Sequence, residues 1–524
     1  LTSTQGTIKQ QYDNTAAQNG GLVYAGDLYI IANKNIGDAL TVDLGSRYNH
    51  LKNVFIDYGT KGNILIGSGN TITGDLNVSV LSSSATEGQV PTLGQLDGSL
   101  TVHNFRSGAA NKLVVSDNLQ ATGNITLIND EANIEIADDG TGTAANLQAK
   151  NIILDTNYDI VHRSGTVQAL ASNSSEASGK IDLDADGSIL LLGGSMSAKN
   201  VDMLAVDHIY EQYNNADGAS AASSYALAVS DTLDILTTGG STVDYGIDLG
   251  SRFNQLHKVE MNSDNGNVVL GNGGSANLEV SVQTIAGTAQ TVQGNILIHN
   301  YKNNNDTTND VKIINSLKAT KEIVIINDNG DIINSGTTLS GSNITLNAFA
   351  GDVFNFAGIT ATNGGVDIYA ANNVYNIGDA EEDAITATGT VSIVAGSVTH
   401  GTDEGLVWNT ARIHSDANVV IQATDRVVNL VNGDSLAKPG DVSEATSNQN
   451  GAISANGTVQ ITTIHKSDST ATEPLGIYNS ASITAGENAI INSRNSLTNT
   501  GDIIVNGYID LDATEEVING VASN

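Results

Sequence analysis

The sequence predicts an all-β chain wound as a right-handed parallel β-helix, a solenoid with loops leaving its coils. Short period-2 runs of Val, Ile, Leu and Thr recur along the whole chain, broken by Asn, Asp and Gly, which reads as strand, turn, strand. Long stretches of text repeat, and no linker separates the copies. Bulky residues are scarce, with 1 Trp, 6 Phe and 3 Pro in 524 residues. Thin stacked coils account for that scarcity, because a large ring must be matched in the layers above and below.

Taken in order, residues 123–136 ("GNITLINDEANIEI"), 341–356 ("GSNITLNAFAGDVFNF"), 364–377 ("GGVDIYAANNVYNI") and 500–513 ("TGDIIVNGYIDLDA") each hold two alternating runs. No stretch reads as a helix of more than three turns. The best helical candidate is residues 206–214, "VDHIYEQYN", and an irregular loop fits that text equally well. Inward Val, Ile, Leu and Ala are expected to stack in ladders, with Gly, Asn and Asp taking turns where φ > 0 is needed. At roughly 20 residues per coil and ~4.8 Å between parallel strands, the chain would make about 26 coils and a rod of ~125 Å.

Self-comparison sets the organisation. "DLGSRYNHLKNV" (residues 43–54) recurs as "DLGSRFNQLHKV" (248–259), and "ATGNITLIND" (121–130) as "ATKEIVIIND" (319–328). A partial third copy starts near "SDANVVIQA" (415–423). The expected division is copy 1 over 1–227, copy 2 over 228–414 and a partial copy over 415–524, within one continuous solenoid. The offset drifts between copies, as it does when turns gain and lose residues while strands keep register. Pro91, Pro439 and Pro474 mark loops that leave the coil, since proline cannot donate to a ladder. Such loops are where a solenoid carries recognition.

Charge and composition exclude several functions. With 22 basic and 57 acidic residues the formal net charge is −35. No basic stripe is present to neutralise phosphates, so nucleic acid is not an expected partner. The same charge disfavours anionic membranes and leaves the chain responsive to divalent cations. No apolar run reaches the ~18–20 residues of a membrane span, and no direct membrane insertion is expected. The absence of cysteine removes disulfides, thiolate metal sites and Cys nucleophiles. The opening "LTSTQGTIKQ" is not a signal peptide, so the chain reads as a mature product or a fragment.

The candidate sites are few. "DLDADG" (182–187) matches the start of a calcium loop, in which alternate oxygen ligands surround the ion and Gly permits the turn. Asp182, Asp184 and Asp186 are therefore candidate ligands, and calcium is the one ion expected; no cofactor is. Against this, Gly193 stands where the loop needs its bidentate Glu, and an ordinary strand and turn explains the same text. His103, His299 and His465 fall at corresponding points of the copies, with no second ligand at i, i+2 or i, i+4, which points to a role in the coil. Arg47 and Arg252 of the tandem "DLGSR" are expected to bond carbonyls or the neighbouring Asp at a coil corner. Polysaccharide hydrolysis needs two or three converging carboxylates, and here only Asp138–Asp139 and a loose "RIH" (412–414) offer themselves. No Gly-x-Ser-x-Gly elbow occurs. The chain is not expected to be an enzyme.

The repeated "GNITL" (123–127), "GSNITLNA" (341–348), "GTVSIVAG" (389–396), "ANVVIQA" (417–423), "NGTVQIT" (456–462) and "ASITAGENAII" (481–491) resemble the repeats of filamentous haemagglutinin-type exoproteins and autotransporter passengers. That resemblance implies a β-helical protein exported to the bacterial cell surface, where it serves adhesion or biofilm formation. The Asn-Pro-Asn-Gly-type secretion motif and an aromatic-ended C-terminal barrel do not occur, which suits a central segment or processed product. The expectation is thus a non-enzymatic, extracellular structural or adhesive fibre. Its partners would be other copies of itself, or surface glycans and proteins. Two alternatives stay open: a self-assembling surface-layer, sheath or filament subunit, and a polysaccharide lyase or hydrolase built on a β-helix.

Overall fold

The structure, a computed structural model of the chain, describes residues 1–3, 6–15, 21, 26–32, 40–57, 60–69, 74–81, 94–105, 111–138, 144–170, 177–216, 219–220, 224–239, 245–264, 266–302, 308–377, 385–396, 405–431, 451–464 and 476–520. Among these residues strand is the only regular secondary structure. The chain divides into two compact units, Leu1–Gly266 and Asn267–Asn524, and the division falls inside the expected second copy. Each unit is a parallel β-helix. Pro91, Pro439, Pro474, Asp139 and His465 lie outside the described residues.

In the first unit one coil places Ile125–Asn129, Ile134–Ile136 and Asn146–Ala149 on three faces. The next coil sets Ile152–Thr156, Ile160–His162 and Thr166–Ala169 beside them in parallel. Alternation decides which side chains turn inward. Leu100, Ile125, Ile152, Ile181, Val201, Leu233 and Val259 are register partners in one column. None of them is more than 1% exposed. Outside the core, Glu135 accepts from Lys112 Nζ and Arg163 Nε at 2.5 Å each, joining three coils. Burial works to raise the Glu135 pKa, but these two partners outweigh it and hold it below the usual value.

The second unit repeats the plan on Ile323–Asn327, Ile332–Asn334 and Thr338–Gly341. Its inward column runs Val268, Ile296, Ile323, Ile344, Val366, Val391, Val419, Val459 and Ala489, all fully buried. A small antiparallel hairpin, Thr284–Ile285 against Thr288–Ala289, departs from the coil. Its turn residues Ala286 and Gly287 have φ of 49° and 79°, the left-handed pair that a two-residue hairpin needs.

Two expectations are corrected. The helical candidate at 206–214 instead contains the strand Ile209–Glu211. Ile209 pairs with Ile189 below and Ile247 above, and the inward–outward–inward alternation of Ile-Tyr-Glu fits that stack better than a helix face. The expected use of Asn and Asp in φ > 0 turns also fails among the described residues, where every positive φ belongs to Gly or to Ala286.

A column of asparagines goes inside instead, buried from Asn334 to Asn499 and ending on the exposed Asn519. Asn334, Asn355, Asn376, Asn409, Asn429, Asn479, Asn499 and Asn519 each close a strand of one face. Nδ2 of each donates to Oδ1 of the next at 2.6–2.8 Å. A side-chain amide has both a donor and an acceptor, so a column of them can satisfy itself where water is excluded.

Candidate functional site

Asp182 and Asp184 point outward from the strand Lys180–Ala185, and Asp186 follows in the turn. Alternate outward residues of a strand stand ~6.6 Å apart, so the three carboxylates form a row. Lys180 Nζ bridges Asp182 at 3.2 Å and Asp202, one coil on, at 2.5 Å. Asp155 of the preceding coil is the register partner of Asp184, a neighbour that sequence spacing could not reveal. Both carboxyls are held above the usual range, by partial burial first and then by surrounding carboxylates. Among the described residues no group of three or more His, Asp or Glu is placed to hold a metal ion.

His103 and His299 receive carboxylates from the next coil, well outside the i to i+4 window. His103 Nε2 lies 3.0 Å from Asp130 Oδ1, and His299 Nε2 lies 3.0 Å from Asp328 Oδ1. Each imidazole stacks on the aromatic two residues on, Phe105 or Tyr301, at 3.7 Å between centroids. The asparagine between them turns inward: Asn104 donates to Asn129, and Asn300 to Asn327. The whole arrangement is duplicated with the repeat, and it ties one coil to the next. His414 of the "RIH" text bonds Ser454 Oγ at 2.8 Å and Asp416 at 3.4 Å.

The tandem "DLGSR" segments prove to be half of a larger duplicated motif. Each is clasped by a five-residue stretch of the preceding coil, "QQYDN" (10–14) in one case and "EQYNN" (211–215) in the other. Tyr12 and Tyr213 donate to Asp43 and Asp248 at 2.7 and 3.0 Å. Asn14 and Asn215 donate to the carbonyls of Gly45 and Gly250. Arg47 and Arg252 donate through Nη1 to the carbonyls of Asn14 and Asn215 at 3.3 and 3.4 Å, the carbonyl partnership expected of them.

The copies differ at one buried place. Gln10 and Asn49 exchange two amide hydrogen bonds of 2.7 and 3.0 Å. In the second occurrence of the motif, which begins ahead of the expected boundary at 227/228, Glu211 replaces the glutamine, and its Oε2 accepts from Asn254 Nδ2 at 2.9 Å and from the Ser251 amide at 3.3 Å. Oε1 finds no hydrogen-bond partner among the described residues. Glu211 is fully buried, and burial, helped by the charge of Asp248, pushes its pKa up to about 8 despite those two bonds.

Two coils before it in the same inward column sits His162. Its Nε2 lies 3.0 Å from the Ser164 carbonyl and must carry the proton, so Nδ1 accepts from Tyr225 OH at 2.8 Å. Burial lowers its pKa to about 4. These two interior ionisable groups were not singled out from the sequence; the "QQYDN"/"EQYNN" correspondence was the signal that could have found Glu211. Burial disfavours the charged form of each, and both are buried side chains. No family model, curated protein or solved structure matches this chain.

Proposed function

We propose that this chain is a non-catalytic structural segment of an extracellular bacterial fibre, of the kind its repeats resemble, whose coils display adhesive contacts. One observation carries the reading. The asparagine column keeps unbroken side-chain register although successive members are separated by 20 to 50 residues of chain. A scaffold whose core ignores the length of what is inserted between strands is suited to presenting varied segments from a constant framework. The buried ionisable groups and the His–Asp pairs serve coil packing, so the chemistry of this reading lies in surface contact.

The test incubates the chain with pectin, alginate and chondroitin, following reducing ends and unsaturated uronates, while retention of the same polymers and of whole cells on immobilised chain is measured in parallel. Retention without turnover is expected. Turnover above background that is lost when Asp138 and Asp139 are replaced by Ala would overturn the proposal.

A further inference from the structure

An open groove of about 360 Å³ lies on the outer face of the second unit, across the strands Ile344–Ala348, Val366–Ala370 and Val391–Ala395. Its features follow from strand alternation. Asp367 and Tyr369 both point outward from one strand, ~6.6 Å apart along it. Thr345 and Ser392 are the register partners on either side of Asp367, and Val394 lies beside Tyr369. Phe349, in the turn after its strand, is 46% exposed. Its ring stands 6.2 Å from that of Tyr369 at an interplanar angle of 56°, so the two form an open V.

The paired rings of Phe349 and Tyr369 offer aromatic surface whose burial against an apolar stem is favourable. The lining contains one ionisable acid and no Lys, Arg or His. Partial burial raises the Asp367 pKa, which marks a carboxylate short of solvation. Aromatic faces and a carboxylate share a preference for cations, and a net charge of −35 draws cations toward the surface.

We infer that this groove binds an alkylammonium or guanidinium group, with Asp367 pairing its charge and Phe349 and Tyr369 flanking its apolar stem. The hydroxyls of Thr345 and Ser392 supply acceptors for the remaining N–H groups. Such a group could come from a free amine or from a Lys or Arg side chain of a partner protein. The inference rests on the groove alone and does not require the fibre reading.

The experiment titrates the full chain with n-butylammonium, with acetyl-Gly-Lys-Gly-amide and with the isosteric norleucine peptide, by calorimetry and by protection of Phe349 and Tyr369 from hydroxyl-radical labelling. Binding of the lysine peptide but not the norleucine peptide is expected, with both rings protected. Asp367→Asn or Phe349→Ala should each weaken it about fivefold or more, whereas Asp510→Asn, an exposed acid elsewhere on the same face, should not. Equal affinity for butylammonium assigns a free amine; preference for the peptide assigns a side chain. Equal binding of the norleucine peptide, or equal weakening by Asp510→Asn, would overturn the inference, as would ring labelling unchanged at saturation.

Discussion

Glu211 shows how much one atom can matter inside a solenoid. Its counterpart Gln10 completes an amide pair with Asn49, whereas Glu211 only accepts, from Asn254 and the Ser251 amide, and burial raises its pKa against those two bonds. A carboxyl whose pKa is about 8 when folded and near the ordinary carboxylate value when unfolded stabilises the fold fully below the unfolded value. That contribution is lost as pH rises toward 8. His162 has the opposite sign. Its folded pKa of about 4, against an ordinary value of 6.5, gives stability that is present above 6.5 and lost as pH falls toward 4. Hydrogen exchange of the strand Ile209–Glu211 should therefore accelerate from pH 6.5 to pH 8 beyond the intrinsic rate. Glu211→Gln should remove that excess by restoring the amide pair. If the variant exchanges with the same excess, Glu211 is not the group responsible.

At the scale of the element, the asparagine column does for the interior what backbone ladders do for the strands. Asn334 heads it, and its Oδ1 has no partner among the described residues. Its preceding register neighbour is Ile313, which offers no donor. Asn409 sits mid-column, accepting from Asn376 and donating to Asn429 at 2.6 Å each. Asn409→Leu strips a partner from both neighbours in a dry core, and an orphaned buried polar group costs about 1–3 kcal/mol. The expected loss is ~2–5 kcal/mol in the opening free energy of the surrounding strands, read by native-state hydrogen exchange. Asn519→Leu, at the far end of the column, deprives Asn499 alone and should cost less than half as much. The corners have their own requirement. Gly165 and Gly194 have φ of 88° and 95°, and a Cβ on Gly194 would lie 2.3 Å from the Gly165 carbonyl oxygen.

For the whole molecule, stability adds up along the chain. Each coil contacts its neighbours, so a lesion at Asn409 should leave the strands of the first unit unchanged in exchange. The charge of −35 acts between molecules. At physiological salt the Debye length is about 8 Å, so repulsion survives only at close approach, where a divalent ion can bridge carboxylates of two chains. Millimolar calcium is expected to promote association in sedimentation more than matched sodium does. Because Asp182, Asp184 and Asp186 form a row with Lys180 already on Asp182, the triple Asn variant should keep most of that response. Loss of the response in the variant would restore a specific calcium site there.

The sequence by itself determined the all-β class, the coil-upon-coil plan and the duplication, because period-2 alternation and repeated text are local properties that survive drifting offsets. It also determined the inward face of each strand, since alternation is set by the backbone. What only the tertiary structure decided was who stands beside whom one coil away. The carboxylates of Asp130 and Asp328 reach their histidines, Asp155 reaches Asp184, and Glu211 meets Asn254, all across more than twenty residues of chain. The strand-final asparagines of "VFN", "VYN", "VWN" and "IYN" recur in the sequence, yet the expectation that Asn takes turns passed over them. An asparagine in a turn and an asparagine in a buried column have the same local sequence. The choice between them depends on whether the coils above and below offer another amide at the same register.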